Sequence, residues 1–242
     1  PGGHTDQCTS TVTIVDNIAP TAICKNITIQ LDVTGNASIV AADINNESND
    51  ACGILSLVAS KTAFTCADKG VNTVTLTVTD NHGNVSTCTS TVTVVDGIAP
   101  GIICTADKTI STDADACTYT HSGTDWNATA TDGCATIASL TYALTGATTV
   151  VSNPANTSLS GVVFNKGITT VTWTATDGSG NTATCSNTVT VGDTQLPNAI
   201  CKPVTIQLNA SGNASITTAD VNNNSSDNCG IQSMTVSTSA FT

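Results

Sequence analysis

Arginine is absent from this chain, and glutamate occurs once, at Glu47. The six basic residues are all lysine and face 18 acids, for a net charge of −12. A chain with this balance repels phosphate backbones, which excludes nucleic acid as an expected partner. Charged residues make up only 10% of the chain and aromatics 3%, against about 25% charged in an ordinary soluble domain. No apolar run approaches the roughly 20 residues that cross a bilayer, and no signal-peptide pattern is visible. The Ala/Leu/Glu/Lys/Arg periodicity of a helical bundle is missing as well, and no helix is expected. What remains abundant is Thr, Ser and Asn, about 38% of 242 residues, a composition suited to strands and turns. The length allows one to three domains.

Internal repetition decides the organisation. Residues 24–65 and 201–242 align without a gap at an offset of 177, with about 25 of 42 positions identical. A second recurrence closes each repeat: Thr89-Ser-Thr-Val-Thr-Val-Val-Asp96 follows Cys88, and close variants follow Cys8 and Cys185. Cutting after each Asp that precedes x-x-x-Pro gives the end of one module at 1–16, complete modules at 17–96 and 97–193, and the front of another at 194–242. In this register Cys66 follows Thr65, so a cysteine is expected at the position after Thr242.

Within a module, apolar and polar residues alternate with period two, as in Val74, Leu76 and Val78 among threonines, and in Val171, Trp173 and Ala175. Turn signals such as Asp80-Asn-His-Gly-Asn84 and Asp177-Gly-Ser-Gly-Asn181 separate the runs. The expected fold is all-β: tandem immunoglobulin-like antiparallel β-sandwiches, closed mainly over Val, Ile and Ala. Cores this thin call for covalent staples. Eleven cysteines are present, and those at 24, 52 and 88 recur at 104, 134 and 185. A fourth moves, being Cys66 in one module and Cys117 in the other. The most economical pairing joins Cys24 to Cys88 and Cys52 to Cys66, then Cys104 to Cys185 and Cys117 to Cys134. Cys8, Cys201 and Cys229 are left with partners outside the sequence. Disulfides of this kind imply an extracellular setting, on a cell surface or secreted. No C-x-x-C is present and no His neighbours paired cysteines in sequence, which disfavours zinc.

The run from Phe164-Asn-Lys-Gly167 through Asp177-Gly-Ser-Gly-Asn181 to Cys185 resembles the signature of the hyalin repeat (HYR) domain. The D-x-x-x-P-x-x-x-C opening (Asp96 to Cys104, Asp193 to Cys201) and the D-x-C segment do the same. The Thr/Asn-rich form, with G-N-A-S-I, is also similar to very large repetitive surface adhesins of gliding Bacteroidota-type bacteria. These resemblances imply an immunoglobulin-like fold, extracellular adhesion and, in the bacterial setting, type IX export and a link to gliding motility.

No catalytic constellation recurs: His4, His82 and His121 fall in or near turns, His82 is replaced by Ser179 in the matching turn, and solvated loop positions are expected for them. The chain is therefore read as no enzyme, and no cofactor is required for the fold. Calcium is the candidate cation. Asp16, Asp96 and Asp193 lie in linkers, Asp80 and Asp177 in the loop before the last strand, and Asp50, Asp132 and Asp227 beside the middle cysteine. Hard carboxylate oxygens gathered at a module end suit an ion that takes about 6–8 oxygen ligands. The competing explanation is that Asp simply makes turns there. Linkers as short as Asp96-Gly-Ile-Ala-Pro100 cannot act as flexible coil, so the expected role is a stacked, semi-rigid stalk or fibre segment. Its partners would be neighbouring repeats and surface glycans or other cells. A carbohydrate-binding module, using Trp126 and Tyr142, or an accessory domain of a large secreted enzyme are the alternatives.

Overall fold

The computed structural model describes residues 2, 3 and 5–242; His4 lies outside the described residues. The chain divides into two compact units. The first runs to Ile98 and takes in Asp132–Thr136; the second comprises Ala99–Thr131 and Ile137–Thr242.

In the first unit the elements are β1 (Ile27–Gln30), β2 (Asn36–Ser38), α1 (Ala41–Ile44), β3 (Ile54–Ala59), β4 (Ala63–Thr65), β5 (Gly70–Asp80) and β6 (Val85–Val95). A four-stranded sheet has the order β1-β6-β5-β3, and β2 pairs with β4. The long hairpin β5–β6 follows from the strongest alternation in the sequence. Val74, Leu76 and Val78 on one strand and Val92 and Val94 on the other are fully buried, and the threonines between them face outward. Leu31, Ile39, Ile44 and Phe64 complete the core, with Cys24, Cys66, Cys88 and Cys134 packed against it.

The second unit repeats the plan with β7 (Gly101–Ile103), β8 (Lys108–Ser111), β9 (Thr118–Thr120), β10 (Thr129–Thr131), β11 (Ile137–Gly146), β12 (Val163–Asn165), β13 (Gly167–Asp177) and β14 (Thr182–Gly192), followed by β15 (Ala214–Ser215), α2 (Thr218–Val221) and β16 (Ala240–Phe241). Its main sheet runs β11-β13-β14-β8, with β9 on β12, β7 on β10 and β15 on β16. The offset of 177 extends into the pairing: Ala37 faces Phe64, and Ala214 faces Phe241. Unlike the first core, this one is aromatic. Trp173 is fully buried, takes the place that Leu76 has opposite the last cysteine, and meets Tyr142 edge-on at 5.3 Å.

Three features depart from the sequence reading. Each main sheet carries one parallel edge pair, β1 with β6 and β8 with β14, in an otherwise antiparallel ladder. The first of these edges is anchored where Ser90 Oγ donates to the Lys25 carbonyl and the Thr91 N–H to Asn26 Oδ1. Second, short helices are present. Asp43 and Asp220 each accept from the backbone N–H three residues earlier, at Val40 and Thr217, which nucleates one turn in α1 and α2. Third, the second core relies on rings rather than on Val, Ile and Ala alone: Trp126, Phe164 and Tyr142 belong to it together with Trp173.

Candidate cation site and cystine framework

Among the described residues there are four disulfides: Cys24–Cys88, Cys66–Cys134, Cys104–Cys185 and Cys117–Cys229. The two long pairs are those of the sequence reading, and the short ones are not. Cys66 does not join Cys52, and Cys117 does not join Cys134. Each instead takes the middle cysteine of the next sequence module, so Cys229 is bonded within the chain, while Cys8, Cys52 and Cys201 are exposed thiols. In the chain-entropy picture a loop of this length is worth about 4 kcal/mol.

Strand pairing explains why the fourth cysteine moves. Asn36 on β2 faces Thr65 on β4, so Cys66, one residue on, lies opposite Gly35. Thr118 on β9 faces Asn165 on β12, and Cys117, one residue back, lies opposite Lys166, whose N–H donates to the Cys117 carbonyl at 3.4 Å. Cys66 and Cys117 therefore occupy facing places on two paired strands, and sulfur reaches the same spot from either one. Gly35, at φ +78°, has to be glycine on both counts: its backbone is left-handed, and a Cβ there would collide with Cys66 Sγ.

All eight aspartates proposed as calcium ligands cap a local turn. The Oδ1 atoms of Asp50, Asp132 and Asp227 accept from the N–H of Cys52, Cys134 and Cys229 at 2.7, 2.8 and 2.8 Å. Those of Asp16, Asp96 and Asp193 accept from Ile18, Ile98 and Gln195. Asp80 lies on the inward face of β5, in phase with Val74, Leu76 and Val78, and is wholly buried. Burial works against its charge. Hydrogen bonds from the Asn84 side chain and from the N–H groups of Asn84, His82 and Gly83 outweigh that and hold the carboxyl below the usual range. Asn84 also donates to the carbonyls of Asp16 and Ile18, tying the hairpin turn to the linker. Asp177 is held in the same way by Asn181, Ser179 and Gly180. Asp193 pairs with Lys166 at 3.5 Å.

Turn-making is not the whole account in the first unit. Asp16, Asp50 and Asp80 bring one carboxylate oxygen each to within 4.8 Å of one another. Asp16 Oδ2 is buried and makes no hydrogen bond. His82 Nδ1 lies 3.4 Å from it, and Cys52 joins the same neighbourhood, a meeting that sequence distance concealed. The Asp16 carboxylate, first by hydrogen bonding and then by charge, raises the Cys52 thiol pKa above its ordinary value, with slight desolvation, Asp50 and Asp80 adding to it. Cys52 is therefore kept as a thiol and is not an activated nucleophile.

His121 is not a solvated loop residue. It is 2% exposed and stacks on Trp126 with ring centroids 4.0 Å apart. Its Nε2 lies 3.5 Å from Asp125 Oδ1, and among the described residues neither ring nitrogen has a partner in good hydrogen-bond geometry. Burial lowers its pKa, a change only partly offset by Asp125 and the Gly123 backbone. The unfolded chain, near the ordinary value of about 6.5, takes the proton first. The stability from neutral His121 is thus complete above that value and is lost as pH falls below it. Urea midpoints of the second unit should fall between about pH 7 and pH 5, and His121→Phe should flatten that slope. The decline set by Asp177, whose folded pKa is lowered, comes in more acid solution, as pH falls below the ordinary carboxylate value of about 3.9. Trp126 and Tyr142, at 7% and 6% exposure, are core residues and offer no face to a sugar.

The chain is 33% identical to hyalin of Strongylocentrotus purpuratus over 216 residues, which is 83% of this chain and 16% of the length of hyalin. Among solved structures, human protocadherin-24 EC1-2 is 14% identical, covers 74% of this chain and 100% of its own, and has a TM-score of 0.41. Protocadherin gamma B7 extracellular cadherin domains 1–4 are 15% identical over 79% of this chain and 56% of theirs, with a TM-score of 0.36. The family model described as HYR domain matches residues 136–191, from just before β11 through β14.

Proposed function

We propose that this chain is a segment of a large extracellular adhesion protein and that its task is mechanical: it keeps a long polypeptide from paying out under tension. The observation that supports this most is the overlap of the sulfur loops. The intervals 24–88, 66–134, 104–185 and 117–229 interleave, so each disulfide loop begins before the previous one has closed. Disulfides persist in oxidising compartments outside cells, and the HYR match and the likeness to hyalin favour the adhesion class. A place in a repetitive adhesin of gliding bacteria rests on the sequence resemblance. Its partners are neighbouring modules, with cell-surface glycans or other cells bound elsewhere on the molecule. With Cys52 held protonated and His121 stacked in the core, we assign these residues no catalytic role. The test is to pull single molecules by their ends: the chain should resist lengthening when oxidised and extend greatly when reduced. Equal extension in both states would overturn the reading.

Calcium is the second element of the proposal, on the observation of the unsatisfied Asp16 Oδ2 beside Asp50 and Asp80. The ion would offset two of the three crowded carboxylate charges and stiffen the linker against the β5–β6 turn. With the dissociation constants of about 10⁻⁴–10⁻³ M usual for extracellular calcium modules, 10 mM Ca²⁺ should stabilise the first unit by about 1.4–2.7 kcal/mol. Asp16→Asn, which keeps the turn-capping oxygen, should abolish that increment. Thermal unfolding indifferent to calcium and to chelator would remove the site.

A further inference from the structure

Three of the five D-x-C segments in the chain, those ending at Cys52, Cys134 and Cys229, share one local design. In each the aspartate Oδ1 accepts from the cysteine N–H, at Asp50–Cys52, Asp132–Cys134 and Asp227–Cys229. Two of the three are covalently engaged, Cys134 by Cys66 and Cys229 by Cys117. In both the sulfur comes from the sequence module before the one that carries the D-x-C segment. The contact involves more than the sulfurs. Gly133 packs against the Val33 carbonyl in the turn after β1. Asn228 Nδ2 donates to the Ala116 carbonyl at 2.7 Å and to Thr112 Oγ1 at 3.3 Å in the turn after β8. Each of these two segments thus seats the residue before its cysteine on a turn of the preceding module, after β1 or after β8, and sulfur locks it there.

The third segment has everything except the partner. Cys52 is an exposed thiol. Its segment is fixed to its own unit by Asn81, whose Nδ2 donates to the Cys52 carbonyl at 2.7 Å and whose N–H donates to the Gly53 carbonyl. The two cysteines of the docking kind inside the chain are already bonded, and the two other free thiols belong by register to a different kind of pair. Cys66 and Cys117 are bonded, while Cys8 and Cys201 match, by register, the last and first cysteines of the long intramodule pair.

We infer that Cys52 is a covalent docking site for a further module of this type joined ahead of Asp16, whose cysteine at the place of Cys66 or Cys117 forms a disulfide with it, so that every junction in the array is cross-linked. Closing the bond removes two protons and two electrons from the two thiols. A disulfide oxidant such as oxidised glutathione accepts them and becomes two thiols. The inference rests on the array reading of the proposed function and can fail separately from it, since Cys66–Cys134 and Cys117–Cys229 would remain if Cys52 proved to be free.

The experiment compares two chains refolded in a glutathione buffer, alkylated without reduction and mapped by peptide mass spectrometry. The 242-residue chain should label at Cys8, Cys52 and Cys201. A chain with a second copy of residues 97–193 placed directly ahead of residue 17 should lose labelling at Cys52 and yield a peptide joining it to Cys117 of the added copy. Cys117→Ser in that copy alone should restore the label. Persistent labelling of Cys52, its bonding to Cys201, or cross-linking of two chains through it would overturn the inference. The same map on protein purified from its source provides a measurement independent of refolding. There, Cys52 joined to a cysteine flanked like Cys66 or Cys117 supports the site, and Cys52 alkylated or joined to Cys8 refutes it.

Discussion

A single oxidised molecule pulled from its ends should yield about 100 Å between Cys24 and Cys229, because the shortest covalent route crosses to Cys88, follows about 30 residues to Cys117 and crosses to Cys229, at 3.3–3.6 Å per residue. After reduction the route is the whole backbone between the two, about 205 residues and about 700 Å at the same rise. Seven-fold is a large effect, and it depends on the pairing. If only the two long bonds constrained the path, it would run from Cys88 to Cys104 and from Cys185 onward, about 60 residues and about 210 Å. Replacing Cys117 and Cys229 together by Ser should therefore lengthen the oxidised limit by about 100 Å. Replacing Cys66 and Cys134 together should leave it unchanged, because that bond is not on the shortest route. Force-extension traces of the three forms settle the matter, and a Cys117/Cys229 variant with the parent's limit would refute the cross-link.

The second large effect is in the core of the second unit. Trp173→Ala should destabilise it by about 3–5 kcal/mol, the usual cost of removing a large buried ring, against total stabilities of about 5–15 kcal/mol. The side chain is wholly buried, opposite Cys185, with Tyr142 against its ring. Its Nε1 makes no hydrogen bond. Trp173→Phe therefore removes an unsatisfied donor while keeping an aromatic ring, and should cost less than about 1.5 kcal/mol. Both tryptophans, Trp126 and Trp173, belong to this unit. Indole fluorescence in parent and Phe variant follows it through Trp126, and the first unit can be followed separately by circular dichroism. Equal losses in the Ala and Phe variants would show that the ring does not fill the core as described.

The local layers of the structure were written in the order of residues. Alternation along 70–80 and 167–177 set the two long hairpins and the side of each strand that faces inward, because pleated strands put every second side chain on one face. The same phase places Asp80 and Asp177 on the buried face, and that was the one sequence signal separating them from the other turn-forming aspartates. The recurring Cys24–Cys88 and Cys104–Cys185 spacing likewise identified the long staples. Where sequence reasoning failed, it treated each module as closed. Economy of pairing sought the partner of Cys66 within its own module, and nothing in the order of residues says that Gly35 and Cys66 face each other across β2 and β4. The stacked His121–Trp126 pair was hidden for another reason: both lie outside the strands, where no side-chain period marks which residues turn inward.

Composition and periodicity by themselves determined an all-β chain that is thin in aromatics and held by sulfur, because side-chain period and turn chemistry are local properties of a strand. Which sulfur meets which, which carboxylates converge at Asp16, and which rings are removed from water were decided only by tertiary structure. Those outcomes depend on cross-strand register and on segments more than sixty residues apart coming within a few ångströms, and no local preference encodes either.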